Sequence, residues 1–292
     1  MTRLFVPVVL VFALLAFAAA GPAQSPASAT PAAPPAAALE SVRFAVIGDN
    51  GTGKQPQFDV GRQMAAHRAA FPYDFVLMVG DNLYVRANTD GYANAFERPY
   101  QAMLDAGVRF FAILGNHDDP DELRYPGFNM DGQRYYTFAR GPIRFIGLDT
   151  NVLDAKQITW LEHVLKASLE PWKIVYFHHP LYSNGSRHGS NVELRVQLEP
   201  LLVRYGVNVV LSGHDHHYER FKPQKGVTYF VVGSGGQLRA GGADPSADTA
   251  AAFAEDHAFM LVQVAGDELS FRAISRTGKV IDSGVIVRQS AT

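Results

Sequence analysis

The chain has 292 residues, 47% apolar and 18% charged, enough for one large core or two small ones and too apolar to be disordered throughout. Its 26 basic and 28 acidic residues leave a net charge of −2, which offers no basic surface for nucleic acid or an anionic membrane as the main partner. Cysteine is absent, which excludes disulfide scaffolds, thiolate zinc sites, iron–sulfur clusters and thiol nucleophiles, so any metal must be held by nitrogen and oxygen.

One basic residue, Arg3, precedes an uncharged run over residues 4–20 that ends in Ala18, Ala19 and Ala20. The run is shorter than the roughly 20 apolar residues of a bilayer span, and its small-residue end favours cleavage over anchoring. Residues 1–20 therefore read as a secretory signal peptide, and residues 21–39 as an alanine- and proline-rich linker that cannot bury a core. The expected location is the periplasm or the exterior, where a large core can do without disulfides. The catalytic domain is expected over residues 40–292.

From Ser41 onward β-branched and aromatic runs alternate with helical spacing. The expected order is strand 42–47, helix 58–70, strand 74–79, helix 93–106, strand 109–114, helix 155–167, strand 172–177, helix 191–205 and strand 207–211. Strands come next at 228–232, 259–264, 268–274 and 280–287, with a mobile surface loop at 241–256. This is the pattern of one α/β domain with two packed sheets and helices outside.

The residues at the carboxyl ends of the strands carry the signal. Gly48-Asp49, Gly80-Asp81, Gly115-Asn116-His117, His178-His179 and Gly213-His214-Asp215-His216 each close a buried apolar run. Ligand sites in α/β sheets gather outside the carboxyl ends of strands, so five such ends can converge on one spot. Eight of the ten histidines fall between His117 and His217, and only His163 of these lies in an expected helix. An i, i+2 pair such as His214 and His216 points to one side of an extended chain and can address neighbouring ions. Joined to His178, Asp49 and Asp81, the set exceeds what one tetrahedral ion can use, and a carboxylate can bridge, which points to two metals and phosphoryl chemistry.

In the blocks Gly48-Asp49-Asn50-Gly51, Gly80-Asp81-Asn82-Leu83-Tyr84, Gly115-Asn116-His117-Asp118, Val175-Tyr176-Phe177-His178 and Gly213-His214-Asp215-His216, the sequence resembles the calcineurin-like metallophosphoesterases. Gly51 stands where other branches carry a histidine, and Tyr84 is supplied instead, which resembles the purple acid phosphatases. The resemblance implies a four-layer α/β/β/α sandwich of two mixed β-sheets flanked by helices. It implies a ferric ion on Asp49, Asp81, Tyr84 and His216, and a divalent zinc, iron or manganese on Asp81, Asn116, His178 and His214, with Asp81 bridging. Ligand hardness agrees, since phenolate and carboxylate suit ferric iron while amide and imidazole suit a divalent ion. The implied reaction is attack of a metal-bound hydroxide on a phosphate monoester, in line with the leaving alcohol.

By the same resemblance His117 is free to bind phosphate or protonate the leaving oxygen, with Asp118 orienting its ring. His188, ten residues after His178, is a second acid candidate, since mammalian relatives carry a His-Gly about nine residues after the corresponding histidine. His179 reads as support for the His178 loop, His217 as a neighbour that is not a ligand, and Gly233-Ser234-Gly235-Gly236 as a tight turn. A nucleotide-binding loop over Gly48-x-x-x-x-Gly53-Lys54 fails, because Gln55 replaces the magnesium-binding hydroxyl and Asp49 would face the phosphates. No Gly-x-Ser-x-Gly elbow exists for a serine hydrolase. The remaining alternatives are a phosphodiesterase on the same site and a metal-dependent binding protein without turnover. The expected partner is a small phosphorylated substrate.

Overall fold

Apolar runs bounded by glycine and polar residues become strands along the whole domain, and the computed structural model, which describes residues 41–288, arranges them in two mixed sheets. The signal peptide and linker expected over 1–20 and 21–39 lie outside the described residues. In chain order, β1 (Val42–Ile47) leads through α1 (Gln55–Ala70) to β2 (Phe75–Met78), and α2 (Thr89–Tyr92), a π-helical turn (Ala93–Glu97) and α3 (Arg98–Asp105) lead on to β3 (Arg109–Ala112). Two 3₁₀ turns, Pro120–Arg124 and Pro126–Phe128, precede the hairpin of β4 (Tyr136–Arg140) and β5 (Ile143–Gly147). Then come α4 (Ala155–Ala167), β6 (Trp172–Tyr176), α5 (Val192–Arg204), β7 (Val209–Ser212), β8 (Tyr218–Phe221) and β9 (Thr228–Val232). The domain closes with β10 (Thr249–Phe253), β11 (Ala258–Ala265), β12 (Glu268–Ser275) and β13 (Val280–Val287).

The first sheet has the order β13-β12-β11-β1-β2-β3, and the second β10-β8-β9-β7-β6-β5-β4. β1, β2 and β3 are parallel neighbours, as are β5, β6, β7 and β9, so the carboxyl ends that carry the polar motifs stand side by side. Local chemistry fixes the helices that separate them. The Asp154 side chain accepts from the Gln157 amide to start α4, and Asn191 does the same for the Leu194 amide at α5. Gly61 lets α1 lie against α3, since a Cβ there would meet the Pro99 carbonyl oxygen at 2.2 Å.

Between the sheets the core is aromatic. Phe44 of β1 stacks on Phe75 of β2 at 5.3 Å, and Phe145 of β5 meets both edge-on at 5.2 and 5.4 Å. Val60, Met64, Tyr100 and Met103 of α1 and α3 continue this core on the outer side of the first sheet. Leu161 and Leu165 of α4 and Leu194, Leu198 and Leu202 of α5 pack with Val175, Phe177 and Val210 on the outer side of the second. The result is the expected four-layer arrangement of helices, sheet, sheet and helices. Polar clips cross between the sheets: the Tyr136 hydroxyl donates to the Ala112 carbonyl at 2.6 Å, Trp172 Nε1 donates to the Gly266 carbonyl at 2.9 Å, and Asp282 of β13 accepts from the Tyr218 hydroxyl at 2.8 Å and from Arg220 at 2.7 and 3.1 Å.

Three features depart from the expected order. The β4/β5 hairpin and β8 are additional, and residues 241–256 are not simply a mobile loop, because Thr249–Phe253 pairs antiparallel with β8. The alanine-rich run Thr249–Phe253 has little strand propensity of its own and is held by its partner. The helix expected over 93–106 starts earlier, at Thr89, and its expected span divides into a π-helical turn and α3, with the buried Gln57 side chain donating to the Ala95 carbonyl at 2.6 Å inside the π-helical turn.

Phe145→Ala removes a fully buried ring from the junction of both sheets and should cost about 3–5 kcal/mol of stability. Urea unfolding would show this as a lower midpoint at an unchanged slope.

Candidate metal centre

Five strand ends supply the site, and the backbone is strained where they do. Asp49, Asp81 and His214 all have positive φ, at 52°, 51° and 69°, a conformation uncommon for residues with a side chain and typical of functional positions. Close approach makes the neighbouring glycines necessary. A Cβ at Gly115 would lie 2.2 Å from the Asp81 carboxylate, and one at Gly213 2.4 Å from the Asp49 carboxylate.

Asp49 is buried and its carboxylate accepts from the His214 amide at 2.9 and 3.1 Å and from the Tyr84 hydroxyl at 3.2 Å. The same hydroxyl lies 2.7 Å from Asp81 Oδ2 and 3.1 Å from His216 Nε2. Asp81 Oδ1 accepts from the His117 amide at 3.0 Å and faces His178 Nε2 at 3.3 Å. His178 Nδ1 lies 3.0 Å from the Val79 carbonyl oxygen, an acceptor only, so in the neutral ring the proton sits there and Nε2 is a lone pair. That lone pair faces the Asn116 amide oxygen at 3.0 Å and His214 Nδ1 at 3.2 Å as well as Asp81. Potential ligand atoms thus form two groups, Asp49, Asp81 and His216, and His178, His179 and His214.

Position 51 explains how Tyr84 comes to be there. A Cβ on Gly51 would lie 1.7 Å from the Asn82 carbonyl oxygen, so no side chain fits, and the Tyr84 amide donates to the Gly51 carbonyl at 2.8 Å. The loop carrying the phenol occupies the room a longer residue at position 51 would need.

Electrostatics then ask for positive charge. Burial pushes the Asp49 carboxyl well above the usual carboxylate range, against the pull of His178, and the charge of Asp81 adds to the push. Burial, followed by the charges of Asp49 and Asp81, drives the Tyr84 phenol far above its ordinary value. His214 is lowered to about 2 by burial and then by His178 and the other surrounding histidines, and His179 to about 4 by burial and then His178. A carboxyl group and a phenol that resist ionising beside imidazoles that resist protonation are together relieved by cations, which stabilise carboxylate, phenolate and neutral imidazole alike. The donor set fits metal ions.

The acid candidates differ in placement. His117 is exposed, with its ring 4.9 Å from that of Tyr84. His188 is exposed with its ring 4.1 Å from that of His214, so the loop brings it to the site in spite of its spacing. Asp118 does not take the part expected for it. Its carboxylate turns inward, accepting from the amides of Gly115 at 2.7 Å and Leu83 at 3.0 Å and from the Asn82 side chain at 2.9 Å, and makes no hydrogen bond to the His117 ring. It ties the Asp81–Tyr84 loop to the Gly115–His117 loop, with Glu122 behind it on the same Asn82 nitrogen at 3.4 Å.

Several residues have more to do than the sequence indicated. His179 packs its ring 4.5 Å from that of His214 and pairs with Thr150 Oγ1 at 2.9 Å. Buried Asp215, between the two histidines of its motif, accepts from Ser183 Oγ at 2.5 Å and from the Gly189 amide at 3.0 Å, anchoring the His188 loop. The Gly235, Gly236 and Gln237 amides donate to the carbonyls of Gly48 and Asp49, so this turn braces the Asp49 bend. His217 is buried on Glu219 at 3.1 Å, away from both ligand groups.

A profile of the calcineurin-like phosphoesterase family matches residues 42–218. Tartrate-resistant acid phosphatase type 5 of Homo sapiens is 27% identical over 241 residues, covering 68% of this chain and 74% of that protein. Purple acid phosphatase 17 of Arabidopsis thaliana is 27% identical over 238 residues, covering 69% and 70%. Among solved structures, GAP50, the anchor in the inner membrane complex of Plasmodium, superposes with a TM-score of 0.75 at 22% identity over 86% of this chain and 90% of that one, a likeness of fold.

The Asp118–Glu122 pair makes stability depend on pH. Burial pushes Glu122 up to about 8 from the ordinary 4.5. Between those values the folded protein holds a proton that the unfolded chain has released, so stability falls as pH rises through the window and levels off above it. Urea unfolding of Glu122→Gln at intervals from pH 5 to 8 should give a shallower fall than the wild type. An unchanged slope would place its source elsewhere.

Proposed function

The chain belongs to the calcineurin-like phosphoesterase family, and from that premise we propose that it is an exported binuclear-metal phosphatase hydrolysing phosphate monoesters. It is a metallophosphoesterase of the purple acid phosphatase type. The observation that carries the fuller reading is Asp81, whose two carboxylate oxygens face different groups, Oδ2 the Tyr84 hydroxyl at 2.7 Å and Oδ1 the His178 ring at 3.3 Å. Asp49, Asp81, Tyr84 and His216 would hold a ferric ion, and Asp81, Asn116, His178 and His214 a divalent zinc, iron or manganese, with Asp81 common to both. Such a pair, when bound, supplies an activated water and neutralises charge on the phosphoryl oxygens.

The chain's own groups do the rest. His117, held over the Tyr84 ring with its amide bonded to Asp81, hydrogen-bonds the phosphate and protonates the leaving oxygen. His188, against His214, is the second group able to do so. Asp118 acts by fixing the two loops and does not move a proton itself. The Arg3 to Ala20 segment supports export.

The leaving-group acid must hold its proton and ferric iron lowers the pKa of bound water, so hydrolysis of p-nitrophenyl phosphate should be fastest below neutral pH. No monoester turnover from pH 4 to 9 with iron and zinc or manganese supplied would end this reading, and a strong preference for diesters would favour a phosphodiesterase. Asp81→Ala should lose at least one metal, while His117→Ala should keep both and slow turnover roughly 10²–10⁴-fold, which metal analysis beside kinetics would separate. Phenolate bound to ferric iron absorbs visible light. The loaded protein should therefore be coloured, and Tyr84→Phe should bleach it with the fold intact; a colourless active protein would remove Tyr84 from the ligand set.

A further inference from the structure

Two arginines stand at the rim of the site on loops that are bonded to each other. The Ser186 amide donates to the Gly242 carbonyl at 2.8 Å, the Asp244 amide to the Asn184 carbonyl at 2.9 Å, and Gly185 bridges Ala243. The first of these loops presents Arg187 and His188, and the second presents Arg239, whose amide donates to the His216 carbonyl at 3.0 Å. Both loops are rigid. Asp215 grips Ser183 and Gly189, Asn184 donates to Glu219 at 2.8 and 2.9 Å, and the Arg239 stem lies over Gly242, where a Cβ would meet its Cγ at 2.6 Å.

Neither guanidinium has a carboxylate or hydrogen-bonding partner among the described residues, although exposed Asp244 and Glu193 are in the neighbourhood and the chain as a whole is slightly acidic. Buried Asp215 is committed to the loop. The Arg239 backbone is held at His216 and the Arg187 loop at Gly242, which places both arginines on this face. Arg187 and His188 also line a cavity of about 490 Å³ that reaches His179 and His214, with Glu193 among its other lining residues. Two unpaired planar forks beside a phosphate-binding centre match the geometry of a further phosphate or carboxylate.

We propose that Arg187 and Arg239 form a second-anion subsite, which selects substrates carrying another phosphate or carboxylate beside the phosphate that is cleaved. The proposal rests on the phosphatase reading for the identity of the first anion. Glu193, in the same cavity, repels the second anion from its own side and directs it toward the arginines.

The test is calorimetric titration of the metal-loaded full chain with propylphosphonate and with propane-1,3-bisphosphonate, neither of which is hydrolysed. The bisphosphonate should bind at least about tenfold more tightly. Arg187→Gln with Arg239→Met, the latter keeping a stem over Gly242, should bring the ratio of the two affinities toward one, and thermal melts would confirm that the variant folds. A ratio near one in the wild type, or one that the double variant does not alter, overturns the subsite. Hydrolysis of p-nitrophenyl phosphate, followed in parallel, reads the phosphatase assignment separately. Its absence would sink that assignment while the arginine dependence of bisphosphonate binding still decided this one.

Discussion

The active face is organised by a surplus of hydrogen-bond acceptors packed closer than they could stay without compensation. Asp49, Asp81 and the His178 ring are buried together, with only the half-buried Tyr84 hydroxyl beside them. Ordinary folding avoids such a cluster, because buried polar groups need donors and like charges repel. Here the donors that are present, the amides of His117 and His214 and the Tyr84 hydroxyl, hold the carboxylates in place without neutralising them. The remaining deficit is what cations fill, and a phosphate follows the cations.

Holding such a cluster requires a backbone that would not adopt its shape unaided. The left-handed residues Asp49, Asp81 and His214 each sit just beyond a buried strand, and each bend is braced by something rigid. The Gly235–Gln237 amides brace the first, Asp118 and Asn82 the second, and the Asp49 carboxylate the third. Strain at a functional position persists only when its surroundings over-determine it. This explains why Asp118 is directed to the protein interior and not to the His117 imidazole beside it.

The parallel strands and the residues at their ends were legible in the sequence because both signals are local: a buried apolar run of set length, then glycine and a polar residue. β1, β9 and β13 fall on the expected residues, and Asp49, Asp81, Tyr84, His178, His214 and His216 all converge. What escaped depends on partners distant in the chain. β10 is a strand because β8 lies alongside it. Asp118 belongs to Asn82 and Leu83, Asp215 to Ser183 and Gly189, and Arg187 is brought to Arg239 by loops that meet only in the folded domain. A residue's type tells what chemistry it can do, while its hydrogen-bonding partner decides whether it is free to do it.

The clip at Asp282 connects the edge of the first sheet to Tyr218 and Arg220, directly after His214 and His216. All of the residues gathered at the centre precede it in the chain, and the strand just after them, already paired with β9 and β10, gains its side-chain tie to the first sheet only from β13. A nascent polypeptide emerging residue by residue therefore has every chemical group of the site before it has the last fastening of the scaffold. A chain cut short before β13 would therefore keep the whole chemistry of the site and lose the bolt that locks the edge of one sheet to the other.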